Sequence, residues 1–248
     1  MLISADLLRQ MRAQSKKKKV EKNSPKPKVA EKKSEPVEGT HTLIIKDMKG
    51  RKTQTIAMVG DVKEGLYTIY DPETGQIKQK MTYIKGVLEG PTEAYDHKGN
   101  LMFVGAFAKG KMQGEAKQFE NGQLVGIYNF DQGKQHGQSQ IFKNDQKVAV
   151  IAYDKGDMSG PFEAYQNGKL VKKCTYKDGV MDGVSETYYP SGDLLQQERY
   201  ENGKIVGQAK KFYQNGTVME IATYRDGKVV LLQQYNQKSE LVKEKKFE

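Results

Sequence analysis

Glycine and an aromatic residue recur through this chain at fixed separations, and that spacing constrains the fold more than any other feature. From Gly75 the eighth residue on is Tyr83, the third beyond it is Gly86, and the fourth beyond that is Gly90. Gly99 leads in the same way to Phe107, Gly110 and Gly114, and Gly122 to Phe130, Gly133 and Gly137. Gly168 leads to Tyr176, Gly179 and Gly183, and Gly192 to Tyr200, Gly203 and Gly207. Asp145 replaces the first glycine ahead of Tyr153, Gly156 and Gly160. The outer copies depart further. Gly50 precedes Met58, Asp61 and Gly65, Gly216 precedes Tyr224, Gly227 and then Leu231, and Ser239 precedes Phe247. The unit is G-x7-(Tyr/Phe)-x2-G-x3-G, with anchors 23 to 25 residues apart. All length variation falls between the closing glycine and the next anchor. A period of this size is the mark of a repeat array, in which each unit leans on its neighbours.

The residues inside the unit say what kind of array. Asn121-Gly122, Asn167-Gly168 and Asn215-Gly216, with Ser191-Gly192, sit between alternating apolar segments. Asn-Gly in that setting predicts a type I′ hairpin turn, because both central residues need positive φ. The stretch after each anchor suits a strand. In KLVKKCTY, Leu170, Cys174 and Tyr176 share one face while Lys173 and Thr175 take the other. The G-x3-G element then reverses the chain, and a shorter strand such as PFEAY leads to the next anchor. Each unit is thus a two-stranded hairpin. Hairpins in series predict an all-β fold: an elongated, twisted antiparallel meander of sixteen or seventeen strands, roughly 80 Å long. The aromatic series Tyr83, Phe107, Phe130, Tyr153, Tyr176, Tyr200 and Tyr224 is expected to pack hairpin on hairpin.

The cores YKDGVMDG and FAKGKMQG resemble the MORN repeat. The longer YYPSGDLLQQERYENGKIVG resembles the MORN-variant repeats of the bacterial YwqK-type antitoxins. The resemblance covers residues 41–248. It implies a non-enzymatic repeat module, with an antitoxin-like or accessory role in bacteria. The departures at Asp61, Asp145, Leu231 and Ser239 read as edge or capping units.

Ahead of the repeat domain, assigned to residues 40–248, the composition changes. Residues 1–14 predict a short amphipathic helix with Leu2, Leu7, Leu8 and Met11 near one face. Residues 15–39 are rich in Lys and Pro and without aromatics, which predicts a disordered linker. Of the net charge of +10, +6 lies in residues 1–38, where 11 Lys and Arg stand against 5 Asp and Glu. Lys16, Lys17, Lys18 and Lys19 are therefore candidates for holding an anionic membrane surface. The interspersed Glu21, Glu31 and Glu35, and the absence of interleaved aromatics, weigh against an electrostatic tether of either kind, and nucleic acid is the less favoured target. Leu7, Leu8 and Met11 are candidates for docking into a partner groove. No apolar run reaches the ~18 residues of a membrane span. With one cysteine and no secretory apolar stretch, a cytoplasmic protein is expected, peripheral at the inner membrane if the tail engages lipid.

Chemistry-bearing residues are sparse. His41, His97 and His136 fall in different units, and no HExxH or CxxC occurs, so no metal or cofactor site is expected. Cys174 is read as a small buried hydrophobe beside Tyr176 rather than a nucleophile. Glu93, Glu163 and Glu186 recur at one position and are read as solvent-facing strand residues. Tyr128, Tyr189 and Tyr213 lie outside the repeating aromatic series and are candidates for a partner-binding face. The expected function is binding of another protein through an extended β surface. The alternatives are a lipid-head-group binder and an enzyme whose site the sequence hides. Exposed sheet edges leave a homodimer open.

Overall fold

A computed structural model describes residues 39–247. The expected helix, and all but the last residue of the expected linker, lie outside the described residues. The described residues are all-β, with no helix among them: 22 strand segments run from Thr40–Lys46 to Leu241–Lys246 in a single open antiparallel sheet. Strands pair in chain order, beginning Thr40–Lys46 with Lys52–Val59 and ending Lys228–Tyr235 with Leu241–Lys246. The meander expected from the repeat is present. Four return strands are broken, so the 22 segments make eighteen strands, one beyond the sixteen or seventeen expected. Lys111–Met112, Lys134–Gln135, Val180–Met181 and Lys204–Ile205 are short first arms, cut from the strands that follow them by a kink.

The last glycine of the unit makes that kink. Met81 and Tyr83 pair with Thr92 and Leu88, so the single residue Thr82 faces Glu89, Gly90 and Pro91. The return strand therefore carries two extra residues in a wide bulge, and the middle one has positive φ. Ala57 and Ala152 face Gly65 and Gly160 in the same way. At Gly160 an added Cβ would stand 3.0 Å from Cβ of Ala152.

Two kinds of turn alternate. The turns that open each kink are two-residue loops such as Lys85-Gly86 and Asn202-Gly203, whose first residues hold φ of 48–52°. These are type I′ geometries, and most dispense with Asn. The strain is offset from the preceding unit. Glu64 accepts the Lys85 N–H at 2.6 Å and Glu89 accepts the Lys109 N–H at 2.6 Å, while Gln113 and Asp182 serve Gln132 and Asn202. In the first unit the glycine has moved to the first central position: Gly60 has φ 56° and Asp61 does not have positive φ, the type II′ placement.

The anchor turns differ from expectation at two places. Asn121-Gly122 and Asn167-Gly168 do have positive φ at both residues, as does Asn144-Asp145. Asn215 and Ser191 do not. There the anchor N–H bonds three residues back, Gly216 to Tyr213 and Gly192 to Tyr189, a three-residue loop closed by a left-handed residue. Asn215 instead caps Thr217, accepting its N–H at 3.0 Å. The substituted anchors Asp145 and Ser239 still take φ of 61° and 64°, so position rather than residue type defines the repeat.

Each repeat aromatic pairs across its corner with an arm residue: Tyr83 with Leu88, Phe107 with Met112, Tyr153 with Met158, Tyr176 with Met181 and Tyr200 with Ile205. The carbonyls of those arms accept the next unit's turn. Gly110, Gly133, Gly156, Gly179 and Gly203 donate to Leu88, Met112, Gln135, Met158 and Met181 at 2.8–2.9 Å. Corner stacks on corner through backbone bonds the sequence does not announce.

The core is a row along one face of this sheet. Ile56, Thr92, Ala116, Ser139, Ile151, Cys174, Ser185, Ala209 and Ala222 belong to it, each at most 8% exposed. Small members sink beneath larger neighbours: rings of Phe103 and Tyr128 lie over Gly105 and Gly126. Phe162 and Tyr176 meet edge-on at 6.0 Å. Burial also pushes the Tyr200 hydroxyl up to about 12, with Glu198 adding to it.

Candidate interaction face

The opposite face carries a second row, built because directly paired residues of an antiparallel sheet share a face. It starts Ile44–Thr55–Thr68–Lys80–Glu93–Val104–Lys117 and reaches Glu163–Lys173–Glu186–Gln197–Lys210 before ending at Glu244. One residue per strand thus forms a transverse ladder through every unit, and acid and base recur along it.

The recurring ladder glutamates Glu93, Glu163 and Glu186 are not simply solvent-facing. Glu93 accepts from the Tyr95 hydroxyl and lies 3.3 Å from Nζ of Lys80, with its side chain 19% exposed. Glu163 accepts from the Tyr165 hydroxyl, and the Lys147 ammonium sits 4.8 Å from that ring's centroid. Glu186 accepts from Tyr188 Oη at 2.5 Å, from Lys173 Nζ at 2.7 Å and from Gln197 Nε2 at 3.0 Å. The Lys173 contact, with Tyr188 behind it, lowers the Glu186 carboxyl to about 2 and raises the Lys173 ammonium above its usual range. Contact with the Glu163 carboxylate, with burial, raises the Tyr165 hydroxyl.

A covariation supports reading these as one device. Where the ladder residue is Glu, the residue two further on is Tyr, in TEAY, FEAY and SETY. At Lys117, Gln140 and Lys210 on the equivalent return strands, that residue is Phe, in AKQF, SQIF and AKKF, while Thr68 and Gln233 in the outer units are followed by Tyr70 and Tyr235. Between the outer units the ring is kept and the hydroxyl accompanies the carboxylate; in the first unit the Tyr70 hydroxyl meets Thr55 Oγ1 instead, at 3.3 Å. A shallow depression of about 180 Å³ opens on this face, lined by Gln138, Gln140, Lys147, Val150, Pro161 and Glu163.

The residues singled out from sequence are scattered. Tyr128 stands in the core row between Ala116 and Ser139, and burial raises its hydroxyl. Tyr189 and Tyr213 are half-buried at the anchor turns, where their hydroxyls donate to the carbonyls of Phe212 and Tyr235 at 2.8 Å. Each therefore ties its turn to the next unit. Leu7, Leu8, Met11 and Lys16 to Lys19 lie outside the described residues. Cys174 is 5% exposed, and burial raises its thiol. His136 contacts Asp154 at 3.1 Å in an exposed pair. Among the described residues no three His, Cys, Asp or Glu side chains gather as metal ligands, and no helix is long and apolar enough to cross a membrane.

The MORN repeat variant family matches residues 164–178, 181–202 and 205–226. No curated protein matches the sequence. Among solved structures, the chain is similar to one described as "Crystal Structure of TcdB2-TccC3-Cdc42", at 12% identity and a TM-score of 0.23. A second is described as TcdB2-TccC3 without its hypervariable C-terminal region, at 12% identity and a TM-score of 0.22. Each similarity covers 80% of this chain but only 14% of the other. Each matched stretch stops in a two-residue turn described above, at Asp178, Asn202 or Asp226, and the same turn, kink and ladder positions recur outside the matched residues.

Proposed function

We propose that the protein is a non-enzymatic scaffold that binds another protein along the ladder face. MORN repeats generally serve as modules for protein or membrane-lipid interaction. The observation that carries the reading is the transverse ladder. Its charged groups are held in place by hydroxyl and amide partners and stay partly open to solvent, with Lys173 50% exposed. Prearranged charge on a regular sheet favours specific recognition over raw affinity. The resemblance to YwqK-type antitoxins supports an antitoxin-like or accessory role in a bacterial cytoplasm. The test is capture by residues 39–248, followed by competition with the same fragment carrying Glu93→Lys and Glu186→Lys. A partner that binds both equally well refutes this face as the binding surface.

A second reading rests on the +6 charge of residues 1–38. On that reading the tail holds an anionic membrane at ~1 kcal/mol per lysine near the surface. Sedimentation with phosphatidylserine vesicles tests it. Binding should require residues 15–33 and vanish at high salt, and binding that survives their deletion rejects the reading.

A further inference from the structure

The two edges of this sheet are built differently. The final strand, Leu241–Lys246, exposes its edge with Lys243, Lys245 and Lys246, the usual protection against strand addition. The first strand, Thr40–Lys46, has no acid, a single Lys at its end, and three consecutive apolar residues in the middle. Leu43, Ile44 and Ile45 are 45%, 52% and 37% exposed.

Backbone direction at this edge follows from its one hairpin. Asp47 directs both N–H and carbonyl into the turn with Arg51 and Gly50, and the Ile45 carbonyl accepts from Thr53 Oγ1. Alternation then turns Leu43 toward the paired strand and turns the N–H and C=O of Thr42, Ile44 and Lys46 outward.

We propose that this edge is a self-association site, where a second copy pairs its own Thr42–Lys46 segment antiparallel about a two-fold axis through Ile44. A two-fold perpendicular to the sheet keeps each face on its own side, so paired residues must have the same parity. Centring on Ile44 meets that condition and sets the outward groups of Ile44, Thr42 and Lys46 opposite their counterparts. It also matches all three apolar residues: Ile44 meets Ile44 of the second copy, and Leu43 meets Ile45 on both sides. The core row, whose outermost link is Leu43 beside Ile56, then continues into the second molecule. The charges favour this occupant. Self-pairing brings Lys46 opposite Thr42, whereas adding the lysine edge of another copy would bury Lys245 against Leu43 in the apolar row. Such an interface is isologous and closes on itself as a dimer.

Five paired residues per copy make a small interface, so the dimer is expected to dissociate on the order of 10 µM. Sedimentation equilibrium of the full chain tests it. The expected result is a monomer–dimer equilibrium that Ile44→Lys shifts at least tenfold toward monomer, with an unchanged circular dichroism spectrum and melt. Val242→Lys, on the opposite edge, should leave the equilibrium unmoved. Independently, Ile44→Cys should give an oxidised dimer whose disulfide joins the two introduced thiols, located by mass spectrometry. A wild-type chain that remains monomeric at several hundred micromolar overturns the proposal, as does a dimer indifferent to Ile44→Lys. None of these outcomes depends on whether the ladder face binds a partner.

Discussion

Replacing Ser185 with Ala should stabilise this protein. The Ser185 hydroxyl is 2% exposed and its Oγ has no hydrogen-bond partner; Ser139, two units earlier in the same row, is 1% exposed with its Oγ also unpartnered. An unsatisfied buried hydroxyl costs ~1–3 kcal/mol relative to an apolar group of the same shape. Removing one oxygen leaves a void of ~10 Å³, worth ~0.2 kcal/mol against the variant. Alanine's weaker strand preference takes a few tenths more. The structure shows that Ala fits, because Ala116 and Ala209 occupy the equivalent register at 1% and 8% exposure. The expected gain is thus ~1 kcal/mol, or ~3 °C in melting temperature for a chain of this size. Ser139→Ala should add to it independently, since contacts in an array reach mainly the neighbouring unit. Guanidinium and thermal melts of both single variants and the double read this directly. A loss of more than ~0.5 kcal/mol at either site would refute the reasoning, showing that the hydroxyl is satisfied.

Other outcomes follow from the same geometry. Asp145→Gly should raise stability by ~0.5–1 kcal/mol, because Asp145 holds φ 61° at an anchor that is glycine in every other unit but the last; denaturant melts check it. Gly160 and Gly192 share φ of 102°, but only Gly160 has a neighbour, Ala152 Cβ, at 3.0 Å. Gly160→Ala should therefore cost ~1–3 kcal/mol more than Gly192→Ala in paired melts, and equal costs would show that the kink relaxes freely. NMR titration should place the Glu186 carboxyl at about 2. Its folded value is depressed, so its contribution is present above the ordinary 4.5 and is lost as pH falls toward 2. Glu186→Gln should abolish that part of the acid dependence.

How much of this was legible in the sequence depended on whether a feature was enforced locally. Turn and kink positions could be read because a backbone at positive φ tolerates few residues, and the glycines mark them. Even the exceptions kept their place, Asp145 by its own left-handed conformation and Asp61 by the shift of glycine to Gly60. Turn type was less legible. Asn215-Gly216 carries the letters of a type I′ turn but closes a three-residue loop, because Asn215 caps Thr217 instead of taking positive φ. Bonds between units were not legible at all, since the arm carbonyls use backbone atoms common to every residue. The same is true of Tyr189 and Tyr213, whose stray aromatic letters suggested a surface and whose hydroxyls close on the next unit. The ladder lay between these extremes. Its Glu–Tyr and Lys–Phe alternation stands in the sequence, but its meaning needs the register that makes the two side chains neighbours.

The measurement that bears most directly on the account compares two triple charge reversals for affinity toward the captured partner. Lys117→Glu, Lys173→Glu and Lys210→Glu invert the ladder face; Lys85→Glu, Lys109→Glu and Lys155→Glu invert exposed corner turns and change net charge equally. Loss of the ladder charges should weaken binding at least tenfold while the corner variant stays within about threefold, on the usual scale of ~1 kcal/mol or more for placed interfacial charges. Equal losses, or a larger loss from the corners, would contradict the assignment of recognition to the ladder face.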